Sequence, residues 1–460
     1  MLDYKIIKYT LLSMPTIPNP PPVTRYPSPG LSRYWLLLGV TALAIAGLFS
    51  LVLVVARTPQ LAELPLFADM FHKALVVHVD LSVMVWFLSI ACMMWSLLVA
   101  PSRSIFPFLE EAALISFALG TLAIAASAFD PHGQALMSNY IPVITSPVFF
   151  MGLGLLLSGV MLMLVRLFTA RKRSEQFGKP LRFAIFSAGF ITLMAIVAFF
   201  WSHAQMPRVI DGQQYYDLMF WGGGHVLQFT HVQMLLVCWI MLVKSLKPDF
   251  RLPRKWLKVL LSVGVSTAAV TPLAYLLYDV TSMEHRMFFT HAMMMVGGIA
   301  PLVLALFIIP VLWWFRANKN ALWTTLAMSV LLFIWGGALG NMIQGENVVV
   351  PAHYHGSIVG VTLAFMGAAY LFLPQFGYRD VSAWRLAFWQ PIVYGGGQIL
   401  HISGLAWSGG YGVLRKTTGG VDALPADVKV AMGFMGLGGL IAIIGGLLFV
   451  VVVWRSVRKA

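Results

Sequence analysis

The sequence predicts an all-α integral membrane protein with twelve transmembrane helices. Of its 460 residues, 59% are apolar and only 10% are charged, whereas a soluble domain has about 25% charged residues. The apolar residues fall in blocks of roughly 20–30, long enough to cross a hydrocarbon core of about 30 Å as helices. Basic residues collect in alternate loops between these blocks. These three observations exclude a soluble enzyme and a disordered protein.

The first 30 residues are polar and rich in proline, which predicts an extended tail at 1–30 before a membrane domain at 31–460. Met1 and Met14 are both possible starts. Cys92 and Cys238 lie inside apolar blocks and predict packed thiols, since no disulfide or Cys-x-x-Cys pattern is present. The twelve predicted segments are 34–56, 71–99, 107–128, 144–168, 182–203, 217–243, 256–279, 287–315, 322–343, 351–373, 386–408 and 428–454.

The distribution of lysine and arginine tests this number of segments. If the N-terminus is inside, the inner loops contain basic clusters such as those around Arg171 and Lys255, and the outer loops contain few basic residues. The bias predicts that both termini are cytoplasmic, in the inner membrane of a prokaryote. Topology therefore explains most of the net charge of +14, and nucleic acid is excluded as a partner.

Four histidines are predicted to lie at one depth, in the outer half of the bilayer. His78, His225 and the pair His353 and His355 fall in the second, sixth and tenth segments. Ionisable residues inside a membrane are costly and mark functional sites, and a buried heme or metal site needs imidazoles from several helices at one level. Positions i and i+2 of a helix point about 200° apart, so His353 and His355 suit two flanking cofactors. The alternative is a pair of hydrogen-bonded core histidines.

Two sequence elements carry a resemblance to a known superfamily. Residues 350–356, Val-Pro-Ala-His-Tyr-His-Gly, resemble the Val-x-Ala-His-Phe-His element of subunit I of heme–copper oxidases and of their nitric oxide reductase relatives. Residues 221–228, Trp-Gly-Gly-Gly-His-Val-Leu-Gln, resemble the Trp-x-x-Gly-His element of that superfamily. The number of segments and the histidine in the second one agree. The sequence thus looks like a divergent, nitric-oxide-reductase-like branch with a subunit I-like bundle.

The resemblance implies a role for each histidine. His78 and His355 would be the axial ligands of a low-spin heme, and His353 the proximal ligand of a high-spin heme with one open face. His225 would hold a non-heme metal, copper or iron, across that face. Arg415 and Lys416 lie where the superfamily places a basic pair against heme propionates. A solvated loop pair is the alternative for these two residues.

The sequence departs from the superfamily at the metal ligands. Oxygen reductases have a His-His pair on the seventh segment, and residues 272–279 contain no histidine. The nearest candidates are Glu284 and His285, which leaves three alternatives: a mixed set of His225, Glu284 and His285, a weakly bound metal, or no metal. A carboxylate ligand would favour iron over copper. Glu284 and His285 are otherwise a polar cap on the eighth segment.

A second departure concerns a tyrosine that supplies an electron and a proton in many oxygen reductases. Phe229 stands at that position, and Tyr275 or Tyr278 on the seventh segment could replace it. Reduction of two NO molecules needs only two electrons and two protons and cleaves no O–O bond. The departure therefore favours NO as substrate. Gln228 is expected to hydrogen-bond the bound ligand or to pack in the bundle.

We therefore expect the catalytic subunit of a respiratory gas reductase with two hemes and one non-heme metal, catalysing 2 NO + 2 e⁻ + 2 H⁺ → N2O + H2O. A terminal oxygen reductase is the first alternative, and a non-catalytic two-heme electron-transfer subunit is the second. A histidine-containing transporter would bind no heme. The sequence contains no Cys-x-x-Cys-His motif for heme c and no cupredoxin-like stretch. The expected partner is an electron-donating subunit on the outer side, either a cupredoxin with a two-copper centre or a cytochrome c.

Overall fold

A computed structural model describes residues 30–55, 65–99, 108–171, 173–316, 319–343, 347–410 and 426–458. The described residues are almost entirely helical, as the sequence predicts, because a helix satisfies every backbone hydrogen bond within its own segment. The predicted tail and the basic pair Arg415 and Lys416 lie outside the described residues.

The described residues of the first half form seven helices, a π-helical turn and a short hairpin. These elements are α1 (Ser32–Val55), α2 (Pro65–Val79), the π turn (Asp80–Val85), α3 (Trp86–Leu98), α4 (Leu109–Ser127), β1 (Ala135–Leu136), β2 (Val143–Ile144), α5 (Pro147–Thr169), α6 (Lys179–Gln205) and α7 (Gly212–Leu246). The π turn continues α2 into α3, so the three form one membrane segment.

Eight more helices lie in the part of the second half that the structure describes. They are α8 (Arg254–Ala269), α9 (Thr271–Leu277), α10 (Met283–Ala292), a second π turn (Met293–Gly297), α11 (Ile299–Trp314), α12 (Ala321–Gly340), α13 (Val349–Phe372), a 3-10 turn (Pro374–Phe376), α14 (Arg385–Gly410) and α15 (Ala426–Arg458). Several helices begin at a capping side chain. The side chains of Ser146, Ser282 and Asn320 each accept a hydrogen bond from a backbone N–H of the first turn.

Each of the twelve predicted segments coincides with a helix or with two helices in line. Among the described residues, eleven spans are long and apolar enough to cross a membrane, and the chain is a multi-pass membrane protein. The remaining segment is α14, which falls short in hydropathy because it contains glycines and buried polar residues. Gln390 is fully buried between the hydroxyl group of Tyr370 and the carbonyl group of Gly445. Neighbouring helices, rather than lipid, therefore surround the polar part of α14.

Glycine residues let neighbouring helices approach closely, as is common in membrane bundles. Helices α4 and α5 meet where a Cβ on Gly120 would lie 2.6 Å from the carbonyl oxygen of Gly152. Helices α12 and α13 meet at Gly336, where a Cβ would lie 2.8 Å from the Cα of Gly356. The backbones touch at both places, so no side chain fits.

A buried ion pair joins α4 and α5. Arg166 and Glu110 are 2.7 Å apart, and their side chains are only 3% and 6% exposed. Arg166 also donates to the carbonyl oxygen of Val99 over 3.2 Å, and the hydroxyl group of Ser96 bonds Glu110. Because a charge inside a membrane protein must be paired, this cluster fixes α3, α4 and α5 against each other.

The connection between α4 and α5, residues 128–146, folds into a cap that packs against α2; we refer to it as the 128–146 cap. Its two strands pair antiparallel. Ser146 donates a hydrogen bond of 2.5 Å to the Asp130 carboxylate, and Lys73 donates one of 2.6 Å to the Asp130 carbonyl. The bond from Ser146 is the main reason that the pKa of Asp130 lies below its ordinary value.

Candidate functional site

His78 is the next-to-last residue of α2, two residues before the π turn begins. Its Nδ1 is 2.9 Å from the carbonyl oxygen of Ala46 in α1. A carbonyl oxygen can only accept, so Nδ1 carries the hydrogen and Nε2 keeps its lone pair. A Cβ on the adjacent Gly47 would meet nothing within 4 Å. The imidazole is thus oriented as a metal-ligating histidine requires.

His353 is oriented in the same way near the start of α13. Its Nδ1 is 2.7 Å from the carbonyl oxygen of Gly336 in α12, which again leaves Nε2 with the lone pair. A Cβ on Gly340 would lie 2.7 Å from Nδ1, so α12 is glycine at both positions that face the ring. The close contact between α12 and α13 therefore sets the direction of this imidazole.

His355 contacts a histidine from a different helix. The ring of His401 in α14 meets it edge to face, with ring centroids 4.9 Å apart. Nδ1 of His401 is 2.8 Å from the carbonyl oxygen of Met435 in α15. Helix α14 thus places a second imidazole against the one that α13 carries.

His225 is 5% exposed and lies in the middle of α7. Its Nδ1 is 2.7 Å from the carbonyl oxygen of Trp221, and its Nε2 is 2.7 Å from the hydroxyl group of Tyr140. Tyr140 belongs to the 128–146 cap, and its contact with His225 was not predicted from the sequence. Removal of water by the surrounding protein raises the pKa of the Tyr140 hydroxyl well above its ordinary value, and nearby Tyr354 raises it further.

Three glycines precede His225, and each leaves room for an aromatic ring. A Cβ on Gly222 would collide with the Tyr275 hydroxyl group, one on Gly223 with Phe199, and one on Gly224 with the ring of Tyr140. The glycine run 222–224 was the one signal in the sequence that could have indicated these ring contacts. Glycine in a helix interior costs about 1 kcal/mol, so three glycines in a row indicate close packing against the helix.

The predicted metal set of His225, Glu284 and His285 is not assembled in the structure. Glu284 is exposed at the start of α10, whereas His285 is buried. Successive residues of a helix point about 100° apart, so the two side chains cannot both face His225. The ring of His285 packs on Tyr275 and Phe289, with centroids 4.8 and 5.1 Å away.

Among the residues that the structure describes, no group of three or more His, Cys, Asp or Glu side chains could hold a metal ion. The residues present therefore do not fit the predicted non-heme metal. They do fit hemes, because His78 and His353 each present an Nε2 lone pair while Nδ1 is anchored to a backbone carbonyl group. The identity of the axial ligands remains a prediction.

The other predicted residues are less directly engaged. The side chain of Gln228 is half-buried on α7 and makes no hydrogen bond to another described residue. The hydroxyl group of Tyr275 lies 2.9 Å from that of Ser202 and donates to the carbonyl oxygen of Ala198 over 3.0 Å, so it is not directed at His225. A cavity of about 10 Å³ lies beside His225, Phe229 and Phe289, a volume that suits one water-sized molecule.

A search of solved structures gives the fold independently. The chain matches a heme–copper terminal oxidase, determined as a dimer by cryo-electron microscopy, with a TM-score of 0.65 over 94% of this chain and 84% of that one. The sequence identity is 16%, and such a likeness shows the fold alone. The chain therefore has the all-α membrane bundle of that oxidase, as the resemblance predicts.

Comparison with curated proteins gives two relatives, and no family model matches the chain. The uncharacterized protein RP382 of Rickettsia prowazekii is 31% identical over 504 aligned positions, which cover 93% of this chain and 96% of the relative. An uncharacterized protein of Aquifex aeolicus is 28% identical and covers 75% of this chain and 85% of its own length. At this identity and coverage, the chain belongs to the protein family that includes Rickettsia prowazekii RP382.

Proposed function

We propose that this chain is the heme-binding catalytic subunit of a respiratory gas reductase in the prokaryotic inner membrane, and that it reduces NO to N2O. The observation that carries the proposal is the common geometry of His78 and His353. Each lies inside the bundle with Nδ1 on a backbone carbonyl oxygen and with the Nε2 lone pair left for iron. The oxidase fold supports the proposal.

The chain's own residues have separate tasks in this proposal. His78 and His355 would hold the low-spin heme, and His401 lies against the ring of His355. His353 would hold the high-spin heme, at which a diatomic gas would bind. When bound, the two hemes supply electrons one at a time. The short piece of α13 that carries His353 and His355 would link the two heme sites.

The electron count favours NO over O2. Two hemes store two electrons, which is what the reduction of two NO molecules to N2O requires. Reduction of O2 to water needs four electrons, and the residues that the structure describes include no ligand set for a second metal. One observation favours O2 as the alternative: the hydroxyl group of Tyr140 lies 2.7 Å from Nε2 of His225, so a phenol is present beside this histidine although Phe229 cannot supply one.

An electron donor is part of the proposal. We expect it to dock on the outer side, near the level of the histidines, as a cupredoxin with a two-copper centre or a cytochrome c. A docking partner of this kind would accelerate heme reduction in purified membranes, and the effect would fall with increasing salt if charged groups guide the encounter.

Gas consumption by the purified heme-loaded protein tests the proposed reaction. NO and O2 are supplied in separate runs with a reduced small-molecule donor, and N2O is measured in parallel. We expect one N2O for two NO and slower use of O2. The variant His353→Ala should lose turnover, whereas His132→Ala, in the exposed turn of the 128–146 cap, should keep it.

Two outcomes would overturn the assignment. Fast O2 use with little NO loss would establish the oxygen reductase alternative and direct attention to Tyr140. Two bound hemes that consume neither gas would establish the electron-transfer alternative.

A further inference from the structure

Tyr140 is held in a backbone conformation that tyrosine rarely adopts. Its φ of 70° is the only positive value at a non-glycine residue among those described, and such a conformation persists only where the surroundings fix it. Here the neighbouring Asn139 N–H donates to Asp217 in α7 over 2.7 Å. Ser138 donates to the carbonyl oxygen of Ile141 over 2.6 Å and closes the turn.

The surface of α7 is shaped to receive this ring. Gly224 leaves the space that the Tyr140 ring fills. The ring also meets Trp221 edge to face at 5.8 Å and lies 4.7 Å from the imidazole of His225, measured between centroids. Three features therefore fix the position of the Tyr140 hydroxyl group. They are the positive φ of the turn, the space at Gly224 and the two ring contacts.

The direction of the hydrogen bond follows from the partners of His225. The carbonyl oxygen of Trp221 can only accept, so Nδ1 of His225 carries a hydrogen. Nε2 then has the lone pair, and the Tyr140 hydroxyl group must be the donor. A metal ion would need that same lone pair. Tyr140 and a metal ion therefore compete for one nitrogen atom.

We propose that the hydrogen bond from Tyr140 closes His225 to a non-heme metal, so that this heme-containing site works with a tyrosine–histidine pair in place of a second metal. The inference rests on the proposed function for the presence of hemes. It agrees with the exposed position of Glu284, and with the finding that no group of three or more His, Cys, Asp or Glu side chains among the described residues could hold a metal ion.

Metal analysis of the purified holoprotein tests the first part. Wild type and His225→Ala are grown with iron and copper, purified with their hemes, incubated with Cu²⁺ and desalted. Iron, copper and zinc are then measured against heme. We expect iron to equal heme and both proteins to retain equal amounts of other metals. A full equivalent of non-heme metal in the wild type that His225→Ala lacks would overturn the proposal.

A titration with Cu²⁺, followed by electron paramagnetic resonance, tests the part played by Tyr140. Tyr140→Phe keeps the ring and removes the competing donor. The affinity of His225 for copper should rise about two- to tenfold, the net effect of one hydrogen bond. Tyr275→Phe is the matched control, because its hydroxyl group bonds Ser202 and Ala198, and it should behave like wild type. Equal copper affinity in Tyr140→Phe and wild type would overturn this part.

The same samples separate this inference from the proposed function. Two hemes together with a metal ion that depends on His225 would refute the inference and leave the proposed function standing. A protein without heme, in which His225→Ala changes no metal content, would refute the proposed function and leave the tyrosine–histidine pair standing.

Discussion

A backbone carbonyl group selects the tautomer at each anchored histidine of the site. His78, His353, His401 and His225 all place Nδ1 within 2.9 Å of such a group. Each imidazole therefore has a fixed orientation and carries its lone pair on Nε2. Binding of iron would require no rearrangement of the ring. His225 differs from His78 and His353 because Tyr140 already uses its lone pair.

Residue identity and spacing could predict only part of this site. The spacing His353-x-His355 and the depth of His78 were readable because helix geometry is regular. Glu284 and His285 were grouped as ligands because they are the nearest metal-ligating residue types after a seventh segment without histidine, although helix geometry directs their side chains about 100° apart. Tyr140 could not be predicted, because 85 positions separate it from His225 and a loop conformation with positive φ brings them together.

The buried pair of Arg166 and Glu110 should be important for stability. Arg166→Met leaves a carboxylate without its cation in a buried site and should cost about 3–5 kcal/mol in free energy of unfolding. Thermal unfolding in detergent measures the change. The double variant Glu110→Gln with Arg166→Met should recover much of the loss. A cost below about 1 kcal/mol for the single variant, a value typical of exposed pairs, would contradict the structure.

At the scale of elements, pairs of helices that touch through glycine position the histidines. Gly336 lies against Gly356 and also accepts the hydrogen bond from His353. Gly336→Ala should push α12 from α13, destabilise the protein by about 1–3 kcal/mol and reduce heme bound at His353.

Gly337→Ala is the matched control on the same helix, because its Cβ would meet nothing within 4 Å. It should be neutral or stabilising by up to about 1 kcal/mol. Both variants are compared by thermal unfolding and by heme content. Equal behaviour of the two would show that the α12–α13 contact is not as close as described.

The 128–146 cap should loosen in acid. The pKa of Asp130 is lowered chiefly by the hydrogen bond from Ser146, so the carboxylate stabilises the cap above its unfolded pKa. That contribution is lost as the pH falls through the lowered, folded pKa. Hydrogen exchange of residues 130–146, corrected for intrinsic rates, should therefore increase in acid. Asp130→Asn should exchange faster at neutral pH and lose most of this dependence; an unchanged acid profile in Asp130→Asn would assign it to another group.

Segment positions were more predictable than segment character. The hydrophobic blocks predict all twelve membrane segments because lipid imposes both length and apolarity. The same pattern predicts helix α14, yet its mean hydropathy is lower because it contains polar residues such as Gln390 and His401. Both side chains bond to backbone carbonyl groups of the neighbouring helix α15. Interior helices can be polar without losing stability, since protein rather than lipid surrounds them.

For the whole molecule, we expect an even number of crossings with both termini in the cytoplasm. Fluorescent-protein and phosphatase reporters inserted after Asp249, between α7 and α8, should report the inner side. Reporters inserted after Asp211, between α6 and α7, should report the outer side. The opposite pattern would reverse the orientation and move the expected electron donor to the cytoplasmic face.

Heme content of the purified chain tests the central claim most directly. The pyridine hemochrome assay gives heme per chain, and electron paramagnetic resonance separates low-spin from high-spin iron. We predict two hemes per wild-type chain, one of each spin state, and loss of only the low-spin signal in His78→Ala, with His132→Ala unchanged. A wild-type chain that binds no heme, or a His78→Ala variant that keeps both signals, would contradict the account.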